Sequence, residues 1–289
     1  MNTFFLIFLP LTCALANETK SIEPFTVHRA VNLTYSIAGL SAKGKEIIAT
    51  FSKFDYPFQD IISGHKYKVK RDQTDYKEVL FVSKKKAYSL GSRTYALTEF
   101  NRRNGLLEPT FFETDNLEVG IAIGNDKRLF VSRLLGIPGT LGVRTIINTF
   151  KDGAFTPLRE LDGEMRTFTL SPDNKKIYGI LNSYENGHLK ELIEISLNDN
   201  GTYYKLLAKT YNQSLEKDTV VCDKKGNIYV SWKKFLIEVY NSRRKTSPIT
   251  SDYEIDHMAI SNSEPQYLYV AGRNPNEWFV PPVVGRVKL

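Results

Sequence analysis

Residues 120–133 read GIAIGNDKRLFVSR, and this stretch decides the fold. Two runs of alternating apolar residues flank the polar segment Gly124-Asn125-Asp126, whose residue types favour a tight turn. Alternation with a period of two places every second side chain on one face of a strand, so the stretch predicts a β-hairpin. The second strand of this hairpin carries an aromatic residue, Phe130, just after the turn.

The same unit recurs along the chain. It appears as TFTLSPDNKKIYGIL at residues 167–181, TVVCDKKGNIYVSW at 219–232 and HMAISNSEPQYLYVAG at 257–272. Aligned on their aromatic residues, the units place Tyr178, Tyr229 and Tyr269 at successive steps of 48, 51 and 40 residues after Phe130. Upstream, VLFVS at residues 79–83 places Phe81 49 residues before Phe130, and Ile47-Ile48-Ala49 marks a sixth, less regular unit.

Repeats of about 40 to 50 residues with four short strands each are typical of β-propellers. We therefore predict an all-β fold, a six-bladed β-propeller formed by residues 17–289 as a single domain. A seven-bladed ring with one degenerate unit, a β-sandwich and a pair of barrels remain alternatives. Loops from distant parts of a propeller sequence meet around a central channel, so we expect the functional site there.

The composition agrees with a folded, β-rich protein. Of the 289 residues, 42% are hydrophobic and 25% charged, which excludes a mainly disordered chain. The apolar run FFLIFLPLTCALA at residues 4–16 is too short for a membrane span and ends in a small-x-small pattern. Residues 1–16 are therefore predicted to be a cleaved signal peptide, and the protein is expected to be secreted and extracellular, with no membrane span.

Four Asn-x-Ser/Thr triplets support this location, because they are acceptors for N-glycosylation in secreted proteins. They begin at Asn17, Asn32, Asn200 and Asn212. Cleavage at residue 16 would leave Cys222 as the one cysteine, and its position in an apolar strand predicts a buried, unreactive thiol.

The chain carries a formal charge of +7, and its basic residues form short clusters. Solvated turns are the simplest explanation, and a weak contact with polyanions is the alternative. The sequence contains no nucleic-acid-binding motif, so we expect no nucleic-acid partner. The clusters are Lys84-Lys85-Lys86, Arg102-Arg103, Lys224-Lys225, Lys233-Lys234 and Arg243-Arg244-Lys245.

The hairpin at residues 120–133, with the following segment Gly136-Ile137-Pro138-Gly139-Thr140-Leu141, resembles the yellow and major royal jelly proteins of insects. That family carries a run ending in R-[LV]-F-V and a later G-V-P-A-T-L, and its later blades are similar to residues 168–182, 219–241 and 255–274. The chain lacks the family's paired cysteines and would be a divergent member. The resemblance implies a propeller, whereas the family's activities range from dopachrome conversion to amine binding in the channel.

A search for catalytic motifs finds no G-x-S-x-G elbow, P-loop, H-E-x-x-H or Cys-x-x-Cys. The pair Asp256-His257 is the most suggestive of acid–base chemistry, but adjacent strand residues face opposite ways. We therefore predict no catalytic residues, no metal and no cofactor.

We expect a small ligand, a biogenic amine or a similar aromatic molecule, in the axial channel without catalysis. Such a ligand requires aromatic walls and a few polar groups. The alternatives are an enzyme that converts a small aromatic or lactone substrate, and an interaction protein with no small-molecule site; the sequence does not indicate an oligomeric state. Residues of suitable type at matching hairpin ends are Tyr88, Glu118, Arg133, Asn182, Trp232, Arg273 and Asn274.

Overall fold

A computed structural model of the protein describes residues 20–289 except 28, 30, 32–36, 52–55, 71–74, 92–95, 113–116, 137–141, 184–188, 199–203, 212–217, 242–244 and 275–281. The predicted signal peptide and the four sequon residues Asn17, Asn32, Asn200 and Asn212 lie outside this part of the chain. Among the described residues, no helix is long and apolar enough to cross a membrane.

The described residues form twenty-five β-strands and no helix. The strands are β1 (Lys20–Ser21), β2 (Glu23–Pro24), β3 (Ile37–Lys43), β4 (Glu46–Phe51), β5 (Phe58–Asp60), β6 (Lys66–Val69), β7 (Tyr76–Phe81), β8 (Lys86–Gly91), β9 (Leu97–Arg103), β10 (Leu106–Phe112), β11 (Leu117–Ile123), β12 (Leu129–Gly136), β13 (Val143–Lys151), β14 (Ala154–Asp162), β15 (Glu164–Leu170), β16 (Lys176–Ser183), β17 (Leu189–Ser196), β18 (Lys205–Tyr211), β19 (Thr219–Cys222), β20 (Ile228–Lys233), β21 (Leu236–Tyr240), β22 (Ile249–Thr250), β23 (Glu254–Ile260), β24 (Tyr267–Arg273) and β25 (Val283–Lys288).

These strands form five sheets, and within each sheet most strands pair with the strand that precedes or follows them in the sequence. Strands β11–β14 and β15–β18 make two four-stranded antiparallel sheets. An eight-stranded sheet consists of β3–β6 and β7–β10, joined by parallel pairing of the outer strands β6 and β10. Strands β19–β22 form the fourth sheet and β23–β25 the fifth.

The amino-terminal strands join the two sheets that come last in the sequence. Strand β1 pairs in parallel with β22, and β2 pairs antiparallel with β25, so that the beginning of the described chain completes its final sheet. Pairing of this kind covers strand edges that would otherwise present unpaired backbone groups.

Apart from β1 and β2, the strand that comes first in each sheet, or in each half of the eight-stranded sheet, is called its first strand; these are β3, β7, β11, β15, β19 and β23. They form a closed ring of contacts in which β8, rather than β7, makes the main contact with β11. Strand β3 contacts both β7 and β23, β11 contacts β8 and β15, and β19 contacts β15 and β23. The hydrophobic clusters lie between neighbouring sheets: Phe130 of one sheet packs with Phe168 of the next, and Tyr178 with Trp232. Sheets packed face to face around a common axis make a β-propeller, and the prediction of an all-β propeller is confirmed.

Four of the predicted hairpins are confirmed, because β11–β12, β15–β16, β19–β20 and β23–β24 coincide with the quoted stretches. The alignment of Phe81 with Phe130 is wrong. Phe81 lies in the first strand β7, and the second strand β8 carries Tyr88 opposite Leu80. Both strands of this unit are apolar, and Lys84-Lys85-Lys86 form the turn between them, so the alternation gave no sign of which strand came second.

Candidate ligand cavity on the ring axis

A cavity of about 410 Å³ lies on the axis of the ring. Its wall is formed by the carboxyl-terminal parts of the first strands and by turns that follow them. The first strands are β3, β7, β11, β15, β19 and β23. Since those turns include exposed residues such as Asn125, Lys127 and Lys224, the cavity opens to solvent where the first strands end.

Close backbone packing between first strands makes this wall continuous. A Cβ atom at Gly39 would overlap the carbonyl oxygen of Lys77, and one at Gly120 would overlap the carbonyl oxygen of Arg166. Only glycine allows such an approach without displacing the neighbouring strand.

The surface that the cavity presents is more polar than apolar. Large hydrophobic residues from every first strand also border it, so the site suits a ligand that combines polar groups with a hydrophobic body. They are Leu40, Leu80, Phe81, Ile121, Ile123, Phe168, Leu170, Val220, Val221, Met258 and Ile260.

At the end of the ring opposite the turns, where the first strands begin, their pairing with the second strands is irregular. The pairing of a first with a second strand shifts register near its start in β3, β7, β11, β15 and β23. A β-bulge of this kind bends the strand and changes the direction of a side chain, and bulges are common beside functional sites.

In β7 the bulge involves Lys77 and Glu78. Tyr76 pairs with Gly91 and Val79 with Ser89, so both residues lie opposite the single residue Leu90. The hydroxyl of Ser89 donates a hydrogen bond to the carbonyl oxygen of Glu78, and the Ser41 hydroxyl donates to that of Val79. These two bonds hold the backbone on either side of the Glu78 side chain.

Glu78 lines the cavity and is the residue that sequence reasoning missed. Its carboxylate has no hydrogen bond or ion pair to any described residue, and burial raises its pKa to about 8. A carboxyl group with no partner among the described residues, in a cavity bordered by hydrophobic residues, favours a ligand that can donate a hydrogen bond to it. The feature of the sequence that could have pointed to Glu78 is that it is the single acidic residue of the apolar segment YKEVLF.

Cys222 also lines the cavity, and the structure agrees with an unreactive thiol. Burial, with a smaller contribution from the carboxylates of Asp223 and Asp173, raises the pKa of Cys222 to about 12. The thiol is therefore protonated at neutral pH and is a poor nucleophile.

The seven sequence-predicted site residues lie away from this cavity wall. Glu118 and Arg133 form an ion pair, with 3.3 Å between Arg133 Nε and Glu118 Oε1. Arg273 Nε lies 3.1 Å from Glu254 Oε2 at the corresponding positions of the sheet β23–β25. Asn182 pairs in register with Glu164, and its buried Oδ1 accepts no hydrogen bond in the described part of the molecule.

The remaining predictions are distributed over other parts of the sheets. Tyr88 packs between sheets, with its ring centroid 5.9 Å from that of Phe150. Trp232 is buried and donates a 2.9 Å hydrogen bond to Glu238, while Asn274 follows the end of β24. The structure thus brings together Glu118 and Arg133, and it places Asn182 and Arg273 at the same end of their own sheets.

Described His, Cys, Asp and Glu side chains form no group of three that could hold a metal ion. His65 packs against Tyr67 with 4.7 Å between ring centroids. Asp256 lies 3.8 Å from Arg273, and the register of β23 shifts just before His257.

Comparison with known proteins supports the fold. No family model and no curated protein matches the sequence. Regucalcin from Agrobacterium tumefaciens, described as a calcium-binding protein, is similar in structure with a TM-score of 0.66 and 15% identity, covering 92% of this chain and 95% of that chain. The β-propeller domain of Cps50 (Swd1) from Myceliophteria thermophila has a TM-score of 0.58 and 9% identity, covering 88% and 84%. Kuenenia stuttgartiensis hydrazine synthase has a TM-score of 0.62 and 13% identity, covering 87% and 83%.

Proposed function

We propose that the protein binds a small molecule with a hydrophobic body and one ammonium group in its axial cavity, without catalysis. The observation that carries this proposal is the carboxyl group of Glu78, which lines the cavity and has no partner among the described residues. A biogenic amine of the serotonin or tyramine type has the required chemistry.

The two parts of such a ligand are bound by different interactions. The ring of the amine leaves water for the partly exposed hydrophobic residues that border the cavity, Leu80, Phe81 and Ile123, which is favourable in proportion to the apolar area buried. The ammonium group stabilises the ionised form of Glu78, and a charge-assisted bond of this kind contributes about 1.5 to 3 kcal/mol, less the cost of releasing the proton that Glu78 holds at neutral pH. A cavity of about 410 Å³ lies within the range of small-molecule sites.

The finer features of the architecture belong to the same proposal. The ring has six blades, formed by the two halves of the eight-stranded sheet and the four other sheets, because each of these units begins with a strand that lines the cavity. The protein is secreted after cleavage of residues 1–16 and is glycosylated at its sequons. It is a divergent relative of the yellow and major royal jelly proteins, supported by the motifs in residues 120–141.

Calorimetric titration tests the proposed ligand class. The test compares tyramine with 4-ethylphenol, which lacks the ammonium group, and with 4-hydroxyphenylacetate, which carries the opposite charge. We expect one-to-one binding of tyramine, about tenfold or more tighter than binding of either analogue. The Glu78→Gln variant removes that preference, whereas Glu160→Gln, at an exposed carboxylate outside the cavity wall, retains it.

Two results would overturn the proposal. Equal affinity for all three compounds would show that Glu78 does not recognise a cation. Chemical conversion of the ligand during the titration would favour the enzymatic alternative, so the bound amine is extracted afterwards and should be recovered unchanged.

A further inference from the structure

The turns between the first and second strands gather on one side of the molecule. Asn125 donates from its backbone to Asn174 Oδ1 at 2.9 Å and from its side chain to the Pro172 carbonyl at 2.7 Å, which links two neighbouring turns. Lys224 Nζ donates to the Asn262 carbonyl at 2.9 Å, and the Asn262 amide donates to the Gly44 carbonyl at 3.2 Å. We call this surface, formed by residues 43–46, 83–86, 124–128, 171–176, 223–227 and 261–266, the turn face.

Five of these six turns carry at least two basic residues. The sixth, residues 261–266, carries none and contains Glu264. The chain therefore places eleven of its 39 basic residues around the mouth of the cavity, although they are far apart in sequence. The basic residues are Lys43 and Lys45, Lys84 to Lys86, Lys127 and Arg128, Lys175 and Lys176, and Lys224 and Lys225.

One basic residue of each turn is held in an ion pair within the protein. The nitrogen–oxygen distances range from 2.6 Å for Arg128 with Asp126 to 3.2 Å for Lys224 with Glu264. The others are Lys43 with Glu46, Lys86 with Glu99 and Lys176 with Glu194. These residues fix the turns.

The other basic residue of each turn remains available. Six exposed lysines on the turn face form no ion pair with any described residue: Lys45, Lys84, Lys85, Lys127, Lys175 and Lys225. Carboxylates nearby are already used in the turns. Asp173 accepts hydrogen bonds from the Ser171 hydroxyl and the Lys175 amide, and Asp223 accepts from the Lys225 and Asn227 amides.

We propose that the turn face binds a linear sulfated polysaccharide of the heparin type. Six unpaired ammonium groups on a shared face produce a positive potential that attracts a polyanion and position point charges for separate sulfate groups. The turn with Glu264 interrupts the ring, so that the polysaccharide follows an arc over the five basic turns.

The chemistry of the turn face favours a polysaccharide over a lipid bilayer or a nucleic acid. Attachment to a bilayer uses exposed apolar or aromatic side chains, and single-stranded nucleic acids stack on aromatic ones. None of the large hydrophobic side chains that are exposed in the described structure lies in the six turns. A sulfated chain needs only charge and hydrogen-bond donors.

Affinity for immobilised heparin tests this inference independently of the ligand in the cavity. A variant with Lys84→Gln, Lys85→Gln, Lys175→Gln and Lys225→Gln removes four of the six unpaired charges, none of them on the cavity wall. We expect its affinity at physiological salt to fall about tenfold or more, with a smaller dependence on salt concentration. A control variant with Lys66→Gln, Lys68→Gln, Lys205→Gln and Lys209→Gln removes the same net charge from outer strands and should change the affinity less than about twofold.

Circular dichroism and melting temperature establish that both variants fold. Equal losses in the two variants would overturn the inference, since net charge alone would then explain retention. Binding of phosphatidylserine vesicles or of DNA that equals or exceeds heparin binding at the same salt concentration would also overturn it.

Discussion

The indole Nε1 of Trp232 donates a 2.9 Å hydrogen bond to Oε2 of Glu238, whose side chain is only 3% exposed. Tyr240 donates to the same oxygen at 2.5 Å, and Lys233 and Lys245 donate to Oε1 at 3.0 and 2.6 Å. Four donors thus satisfy one buried carboxylate. The network holds Trp232, predicted from the sequence as a ligand-binding residue, within the packing of its sheet.

The first prediction is that Glu238 stabilises the protein in a pH-dependent way. Burial alone would raise its pKa, but the bonds from Lys245, Tyr240, Lys233 and Trp232 outweigh that effect and lower it from 4.5 to about 2. A carboxylate with a lowered pKa contributes stability above its unfolded pKa and loses that contribution as the pH falls from about 4.5 towards 2. We expect Glu238→Gln to reduce the free energy of unfolding by about 2 kcal/mol at pH 7, measured by urea denaturation.

The matched control for Glu238→Gln is Glu160→Gln. Glu160 lies 2.9 Å from Arg144, but both side chains are about half exposed, at 52% and 48%. Exposed pairs contribute about 0 to 1 kcal/mol, so this variant should unfold close to the wild type. A Glu238→Gln variant that loses no more stability than the control at pH 7 would contradict the role assigned to the network.

The second prediction compares two arginines at equivalent positions of different sheets. Arg133 faces Glu118 across β11 and β12, and Arg273 faces Glu254 across β23 and β24. The two pairs differ mainly in the exposure of the arginine. In the first pair the Arg133 and Glu118 side chains are 16% and 1% exposed, whereas in the second the Arg273 and Glu254 side chains are 64% and 13% exposed. Arg133 pairs with a nearly fully buried carboxylate, so Arg133→Met should destabilise by about 1 kcal/mol or more and Arg273→Met by less than about 1 kcal/mol.

Thermal unfolding of the two methionine variants measures this difference. Methionine retains much of the aliphatic volume of arginine, so the comparison reports mainly the lost charge. Similar melting temperatures for the two variants would show that the pair of Glu118 and Arg133 is as weak as an exposed one.

The hairpins could be predicted from the sequence because they depend on local information. Alternation over about six residues and the Asn, Asp and Gly of each turn define hairpins such as β11–β12 without reference to the rest of the chain. The repetition of that unit then indicated the ring. The position of Phe81 was misjudged because β7 and β8 have similar apolar patterns.

The cavity could not be predicted in the same way. Glu78 reaches it through a bulge that occurs where two strands change register, and nothing in the segment YKEVLF specifies the bulge. The residue types proposed for the site were reasonable, but pairing across strands decides their role. Glu118 is neutralised by Arg133 in the neighbouring strand, a contact that only the register reveals.

The third prediction concerns Glu78 and stability in the absence of ligand. Burial raises its pKa from 4.5 to about 8, so between these values the folded protein binds a proton that the unfolded chain releases. Stability therefore falls as the pH rises from about 4.5 to about 8. We expect Glu78→Gln to have nearly the melting temperature of the wild type at pH 4.5 and to be more stable than the wild type by several kcal/mol at pH 9, since each unit by which the pKa is raised corresponds to about 1.4 kcal/mol. Calorimetric melting curves at the two pH values provide the measurement, and a difference that is the same at both would contradict the raised pKa.

The fourth prediction links the proton on Glu78 to ligand binding. At pH 7 a carboxyl group with a pKa of about 8 is largely protonated, and an arriving ammonium group stabilises its ionised form. Binding of tyramine should therefore release about 0.9 proton per ligand at pH 7 and about 0.1 at pH 9. Titration in two buffers with different ionisation enthalpies measures the number, because the released proton is taken up by the buffer. The Glu78→Gln variant serves as the control and should release none, and a wild type that binds tyramine at pH 7 without proton release would place the ammonium group away from Glu78.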